Sequence, residues 1–509
     1  MQLGVVPLPC SLERRAGRLA VTPELAVRGD ADGAAAVTDV VAARTGIRLP
    51  AAQKRASEDD GRATVSLRLA PGGAPESYRL VSGPDGVEID APDGAGLFYA
   101  AQTLGQLLTR DPDGAGWHVP SVEITDAPRF AHRGLMLDVA RHFFPVEVVE
   151  RLIDRAAALK LNVLHLHLSD DQGWRLALAS RPELAARGSA TSALGDPGGH
   201  YCADDFRRIV AHATARHMTV VPELDVPGHT HAVGLAHPEL AADPVVTDEV
   251  LETVAAFGGG VPTRGEPYTG FAVGFSSLRI HEEATYDFLA DVFGELAALT
   301  PGPYLHLGGD EALGTPPADF ASFLTRATAI VADLGKIPIA WHEAGAVDAL
   351  APGTIGQYWG FVSPIDRTDD DARAFVARGG RLILSPADAI YLDMKVDAAT
   401  PLGLTWASGP TSVERSYSWE PTEIVAGVAE SDILGVEAAL WTETIATEAD
   451  IEAMVFPRIA SAAEIAWSPA SGPERTWEAF RLRLAALGSA WDDVGIRFTR
   501  AAGVPWAHR

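Results

Sequence analysis

The stretch Tyr304-Leu-His-Leu-Gly-Gly-Asp-Glu311 decides how the chain is read. A short apolar run, the body of a buried strand, stops at two glycines, and two carboxylates follow at once. Seven other short runs share this plan of apolar body and polar or aromatic end. They are Gly134-Leu-Met-Leu-Asp138, Asn162-Val-Leu-His-Leu-His-Leu168, Thr219-Val-Val-Pro-Glu-Leu-Asp225, Ile337-Pro-Ile-Ala-Trp341, Thr354-Ile-Gly-Gln-Tyr358, Arg381-Leu-Ile-Leu-Ser385 and Ile433-Leu-Gly-Val-Glu-Ala-Ala-Leu440. Amphipathic stretches separate them. After the first run, Pro145 opens a segment with Val146, Val149, Leu152, Ile153, Ala156 and Leu159 on one helical face. Eight strands alternating with helices predict an α/β fold, a (β/α)8 TIM barrel.

Upstream the pattern is different. Thr64-Val-Ser-Leu-Arg-Leu-Ala70 alternates, and Tyr78-Arg-Leu-Val and Gly86-Val-Glu-Ile-Asp90 flank the turn-rich Ser82-Gly-Pro-Asp-Gly86, which predicts a hairpin. Leu97, Ala100, Ala101, Leu104, Leu107 and Leu108 then repeat at helical spacing. The expected organisation is a small N-terminal α+β domain over residues 1–127, the barrel over 128–475 and a C-terminal helical extension over 476–509. The loop Asp111-Pro-Asp-Gly-Ala-Gly116 and Asp126-Ala-Pro128 mark the exit from the first domain.

Composition removes several classes of function. The 509 residues carry a net charge of −27, with 47% hydrophobic and 21% charged side chains, as in a globular protein. An acidic chain repels phosphate backbones and anionic lipid, so neither nucleic acid nor a membrane is an expected partner. The longest apolar stretches fall short of the roughly 18 residues that span a bilayer. The start Met1-Gln-Leu-Gly-Val-Val-Pro-Leu-Pro-Cys10 lacks the basic and apolar regions of a secretory signal. A cytoplasmic enzyme is the expectation, with a secreted form whose signal has been removed as the alternative. Cys10 and Cys202 are too few for a disulfide framework and are expected to be ordinary buried thiols.

In such barrels the active site forms where the strands end. Here the ends read Asp138-Val-Ala-Arg141, Ser169-Asp-Asp-Gln-Gly-Trp174, Asp225-Val-Pro-Gly-His229, Gly309-Asp-Glu311, Trp341-His-Glu343, Tyr358-Trp359, Tyr391-Leu-Asp393 and Trp441-Thr-Glu443. Carboxylates beside indoles suit a sugar, because aromatic faces cover its C–H faces while charged groups hydrogen-bond its hydroxyls. Adjacent Asp310 and Glu311 have Cα atoms about 3.8 Å apart, so their carboxyls more naturally serve one side of a bound ring than opposite faces. An acid and a nucleophile on opposite sides of the scissile bond would need a different placement.

These segments carry a resemblance. His132-Arg-Gly-Leu-Met-Leu-Asp-Val-Ala-Arg-His142, His165-Leu-His-Leu-Ser-Asp-Asp-Gln-Gly-Trp174, Val221-Pro-Glu-Leu-Asp-Val-Pro-Gly-His229 and His306-Leu-Gly-Gly-Asp-Glu311 are similar to successive signatures of the family 20 β-N-acetylhexosaminidases. The likeness continues, in family order, through Tyr268-Thr-Gly, Gln357-Tyr-Trp359, Tyr391-Leu-Asp-Met-Lys395, Gly403-Leu-Thr-Trp406 and Leu440-Trp-Thr-Glu443. It implies substrate-assisted hydrolysis, in which the sugar's own 2-acetamido oxygen attacks C1. Under it Glu311 is the acid and base, Asp310 an ionised carboxylate that orients the acetamido N–H, and Tyr391 a donor to the acetamido oxygen. It implies that Trp341, Trp359 and Trp441 box the acetamido methyl, with Trp406 as a further wall. It gives Arg133 and Glu443 to the C3 and C4 hydroxyls and Asp393 to the C4 and C6 region. Asp170, Asp225 and His229 stand behind the acid in this scheme, with a structural role for the three as the alternative.

The expected activity is exo-acting and retaining. It releases terminal N-acetylglucosamine, with N-acetylgalactosamine as the second expected sugar, from a small oligosaccharide or glycoconjugate, and needs no cofactor. A disaccharide-releasing relative and a non-catalytic sugar-binding protein are the alternatives on the same fold, and the oligomeric state is open. A metal-dependent hydrolase would draw on His165, His167, His229, His231, His306 and His342. His165 and His167 precede a strand end, where side chains fill the barrel, so no metal is expected. Two departures from the family pattern stand out: Arg279 and Cys202 occupy positions where Cys and Thr, respectively, are common.

Overall fold

A computed structural model describes residues 3–50, 63–111, 113–114 and 116–507. Met1 and Gln2 of the N-terminal reading, and Pro112 and Ala115 of the expected exit loop, lie outside the described residues. The chain divides into two compact units, one from 134–154 and 162–455, the other from the described parts of 1–133, 155–161 and 456–509.

All eight expected runs form strands, and they close a parallel barrel in sequence order. They are His132–Asp138, Val163–His167, Thr219–Glu223, Tyr304–His306, Ile337–Trp341, Ile355–Tyr358, Leu382–Leu384 and Ile433–Leu440. Alternation along each strand sorts inward side chains into layers. The lowest layer is apolar, formed by Val163, Val221, Ile339, Ile355, Ile383 and Leu434.

One step higher, where branched aliphatics are the rule, the barrel is ionic. His165 donates from Nδ1 to Glu437 Oε1 at 2.8 Å and reaches Glu223 Oε2 from Nε2 at 3.0 Å. His167 donates to Glu223 Oε2 at 2.5 Å and to Asp170 Oδ2 at 2.8 Å. Gln357 Nε2 donates to Glu437 Oε1 at 2.8 Å. Glu437 fits because the first strand carries Gly134, where a Cβ would stand 2.2 Å from Glu437 Oε2. Burial disfavours charge on His165, yet Glu437 and Glu223 lift it to about 9. His167 is likewise held well above its ordinary value by Glu223 and Asp170, against the cost of burial.

Above the strands, the loops share one organiser. Arg175 is fully buried and donates to the carbonyls of Val139, Ala140, Ser189, Thr191 and Gly199 and to Ser192 Oγ. One guanidinium therefore ties the segment after the first strand to the long excursion after the second.

The other unit is a mixed sheet in the order Ser11–Val21, Trp117–Asp126, Tyr78–Gly83, Gly86–Ala91, Thr64–Leu69, Ala26–Gly29, with Thr109–Arg110 paired beside Trp117–Asp126. The expected hairpin is present, with Leu80 opposite Ile89. Helices Ala31–Thr45 and Gly94–Leu107 bury their apolar faces in its core, and Asp93 caps the second through Gly96 N at 2.8 Å. A buried Asp126 accepts from Tyr78, Lys160 and Trp467 at 2.7, 2.8 and 2.9 Å. The helix Trp477–Asp493 joins this unit, where Asp493 pairs with Arg44 at 2.7 Å.

The two cysteines correct an expectation, since both are exposed. Cys202 is the N-cap of helix Ala203–Thr214, its Sγ accepting from Asp205 N at 3.4 Å, a position that belongs at the surface. Cys10 precedes the first strand of its sheet and points Sγ to Ala127 O at 3.5 Å. Among the described residues no helix is long and apolar enough to cross a membrane.

The barrel's imidazolium groups carry a pH dependence. A His whose folded pKa is raised stabilises fully below its unfolded value and loses that contribution as pH climbs through the folded one. The urea midpoint should therefore fall as pH rises from 6.5 through about 9. An unchanged midpoint over that range would contradict a charged His165.

Candidate active site

The pair Asp310 and Glu311 leaves the fourth strand on a backbone that only small residues permit. Gly308 and Gly309 hold φ of 67° and 95°, and a Cβ on Gly308 would stand 1.7 Å from Asp225 Oδ1. The turn is fixed by Gly309 N, which donates to Asp225 Oδ1 at 3.0 Å. Glu311 itself adopts φ 46° and His229 φ 54°, left-handed conformations that cost an L residue and gather at functional sites.

A chain of charges backs the pair. Arg141 NH1 lies 2.8 Å from Asp170 Oδ2, and Asp170 Oδ1 accepts from His229 Nδ1 at 3.1 Å. His229 Nε2 then faces Glu311 Oε2 at 3.4 Å and Asp310 Oδ2 at 3.7 Å. Against the cost of burial, Arg141 and His229 hold Asp170 well below the usual carboxylate range. The same burial opposes charge on His229, yet Asp170, Asp310 and Asp225 keep it well above its ordinary value. Burial and the neighbouring Asp310 push Asp225 well up. Burial and Glu311 raise Asp310 as well, against the pull of the His229 imidazolium.

The indoles form an apolar floor with Met136, Tyr391 and Ala439. Two ring N–H groups have acceptors, Trp341 on Glu223 Oε1 at 3.0 Å and Trp359 on Glu343 at 3.1 and 3.0 Å, and the Trp441 ring packs on Tyr391 with centroids 6.2 Å apart. Trp406 stands edge-on to Trp359 and Tyr391, with centroids 6.1 and 5.8 Å away, and is 48% exposed. Asp393 and Glu443 belong to the same rim, Asp393 buried and Glu443 lifted by burial and by Asp138 against the pull of Arg141.

Arg133 does not reach this site. It begins the first barrel strand, at the end opposite the rim, and is fully buried there. Its guanidinium donates to Glu76, to the carbonyls of Phe130 and Lys160 and to the Tyr99 hydroxyl. Arg141, three residues beyond that strand's end, takes the rim position instead, over the Trp441 ring at 4.8 Å. Arg141 Nε and Glu443 Oε2 are buried without a protein partner, a donor and an acceptor suited to a sugar's hydroxyls. The rule that chemistry sits after a strand selects Arg141 from the same segment.

Four trios could in geometry hold a metal ion: His165, Glu223 and His306; His167, Glu223 and Asp225; Asp170, Asp225 and His229; His229, Asp310 and Glu311. Three of their four imidazoles fit poorly. His165 and His167 use both ring nitrogens on carboxylates, and His229 is an imidazolium, so a proton occupies the lone pair a metal needs.

Removing Asp170 charge should release His229. In Asp170→Asn the imidazolium loses its nearest carboxylate, and its pKa should fall, as followed by NMR of labelled histidines. A His229 titration that does not move would break the proposed charge chain.

Comparison with known proteins agrees with this geometry. The catalytic domain of glycosyl hydrolase family 20 matches residues 130–317 and 313–470, and domain 2 of that family matches 2–127. A β-N-acetylhexosaminidase of Cellulomonas fimi is 42% identical over 458 residues, 89% of this chain and 86% of that protein. A solved family 20 β-N-acetylglucosaminidase is 55% identical with a TM-score of 0.90, covering 100% of both chains. A mutant Streptomyces plicatus β-hexosaminidase in complex with the product N-acetylglucosamine is 43% identical, with a TM-score of 0.88 over 99% of this chain and 98% of that one.

Proposed function

The chain belongs to glycosyl hydrolase family 20, and on that premise we propose that it is an exo-acting, retaining β-N-acetylhexosaminidase working through the substrate's own acetamido group. It releases terminal non-reducing N-acetylglucosamine, and N-acetylgalactosamine as a second sugar, from small oligosaccharides or glycoconjugates. The observation that carries this reading is the Asp310-Glu311 pair beside a box of indoles packed with Tyr391, two of them anchored through their ring N–H groups. A pocket that only bound sugar would gain nothing from such a graded set of protonation states.

The geometry supports the following course. The acetamido methyl lies among Trp341, Trp359 and Trp441, where a dry apolar surface favours it. Asp310, facing the His229 imidazolium, accepts from the acetamido N–H as its carboxylate, while Tyr391 donates to the acetamido oxygen. That oxygen attacks C1. The bond from C1 to the leaving oxygen breaks with its electron pair, and Glu311 gives that oxygen its proton. Positive charge spreads over the oxazolinium ring beside Asp310. Water then adds to C1, passing a proton to Glu311 carboxylate, and the ring opens to restore the acetamido group. Two inversions at C1 give retention. Arg141, Glu443 and Asp393 hold the ring hydroxyls, and Trp406 covers the sugar from its more exposed side.

The direct test compares an aryl N-acetyl-β-glucosaminide with the matching β-glucoside, with and without chelator. Cleavage of the acetamido sugar alone, unaffected by chelator, is expected; cleavage of neither would remove the proposal, and chelator-sensitive cleavage would point to a metal. Glu311→Gln should reduce kcat/KM by about 100-fold or more on a poor leaving group, and much less on an activated aryl glycoside that needs little protonation. Equal losses on both substrates would take the acid role from Glu311.

A further inference from the structure

Glu343 has no part in the course above, yet it is built into the wall of the pocket. The fifth strand ends at Trp341, and the next residues form a tight turn, His342–Ala346. From this turn Glu343 reaches across to the neighbouring strand's end, where Trp359 Nε1 donates to its Oε1 at 3.1 Å and its Oε2 at 3.0 Å. His342 supports the same residue from a second direction. Its Nδ1 accepts from Trp359 N at 3.5 Å, and its ring meets the indole edge-on with centroids 5.3 Å apart. Burial pushes His342 down to about 3, which leaves it neutral and able to accept.

The three indoles differ in what else restrains them. Trp341 is fully buried and Trp441 nearly so, and surrounding atoms fix both. Trp359 is only partly buried, and on its open side it meets the half-exposed Trp406. Packing alone leaves its indole room to turn. Turning would break both contacts to Glu343 and strand a carboxyl that is itself within electrostatic reach of Asp310 and Glu311.

We infer that Glu343 is a positioning residue that fixes the width of the acyl-binding pocket by anchoring the Trp359 indole, and so sets discrimination between N-acetyl and longer N-acyl sugars. The inference rests on the β-N-acetylhexosaminidase reading. Burial, with Asp310 and Glu311, raises Glu343 well above the usual carboxylate range, and in either protonation form a carboxyl oxygen accepts the indole N–H. A glutamine amide oxygen can do the same, and an alanine cannot.

The test uses the full chain and aryl β-glucosaminides bearing N-acetyl, N-propionyl or N-butyryl groups. One methylene in an apolar pocket is worth about 10- to 200-fold in kcat/KM, so a loosened wall should be visible as a loss of about 10-fold in the acetyl-to-butyryl ratio. Glu343→Ala should show that loss, and Glu343→Gln should restore the ratio. Trp359→Phe, which keeps a ring but has no N–H, should lose it as Glu343→Ala does, and the double substitution should lose no more than either alone. An unchanged ratio in Glu343→Ala, or losses that multiply in the double variant, would overturn the inference. If Glu343→Ala does not fold, Trp359→Phe and Glu343→Gln decide the matter: the first must lose selectivity and the second must keep it. A wild-type protein that cleaves none of the three substrates would instead overturn the reading of function.

Discussion

One carboxylate, that of Glu223, holds the middle of the barrel together. It sits in the interior with no exposure and receives His165, His167 and the Trp341 indole, while His306 Nδ1 lies 2.9 Å away. Three strands besides its own thus meet at one side chain. In a low-dielectric interior such contacts are strong when complete and costly when broken. The site inherits its geometry from this point. His167 passes from Glu223 to Asp170, Asp170 to Arg141 and His229, and His229 to Asp310 and Glu311. Trp341 is oriented by the same Glu223. The charged side and the apolar side of the pocket are therefore registered against each other by one buried group.

The rim concentrates carboxyl groups: Asp170, Asp225, Asp310, Glu311, Glu343 and Glu443. With Arg141 and His229 as the cations named among them, full ionisation would be strongly repulsive. The arrangement divides the protons unequally. Asp170, between Arg141 and His229, stays ionised, whereas burial and neighbouring charge push Asp225, Glu343 and Glu443 upward. Asp310 is raised as well, and the His229 imidazolium beside it is what favours negative charge where a developing oxazolinium needs it.

Much of this was legible in the sequence for a physical reason. Barrel strands are short, apolar and bounded, so the eight runs stood out, and the Gly308-Gly309 break marked the turn that leads into Asp310 and Glu311. What sequence could not easily supply was direction. Arg133 and Arg141 flank the same strand eight residues apart, and only the strand's polarity separates a structural arginine from a site arginine. Glu223 and Glu437 were also visible, as charges inside apolar runs, but their partners come from strands remote in sequence. Trp359 was expected at the pocket and is found there. The residue that steadies it, Glu343, was among the strand-end residues quoted, with nothing in its spacing to say what it touches. The cysteines were misjudged because thiols are usually buried, and here one caps a helix at the surface.

The span of the ionic layer bears on how such a barrel is made. His165 and Glu437 are 272 residues apart in the chain, yet each is buried against the other. During synthesis the first seven strands emerge before Glu437 is available, and until then His165 has lost half of its countercharge and the sheet has an open edge at Gly134. A stable half-barrel is therefore disfavoured by electrostatics as well as by exposed apolar surface. The last strand acts as a latch on assembly: ribosome-bound intermediates and chains cut short before Ile433 should remain loose, and the native arrangement of charges should form late and together.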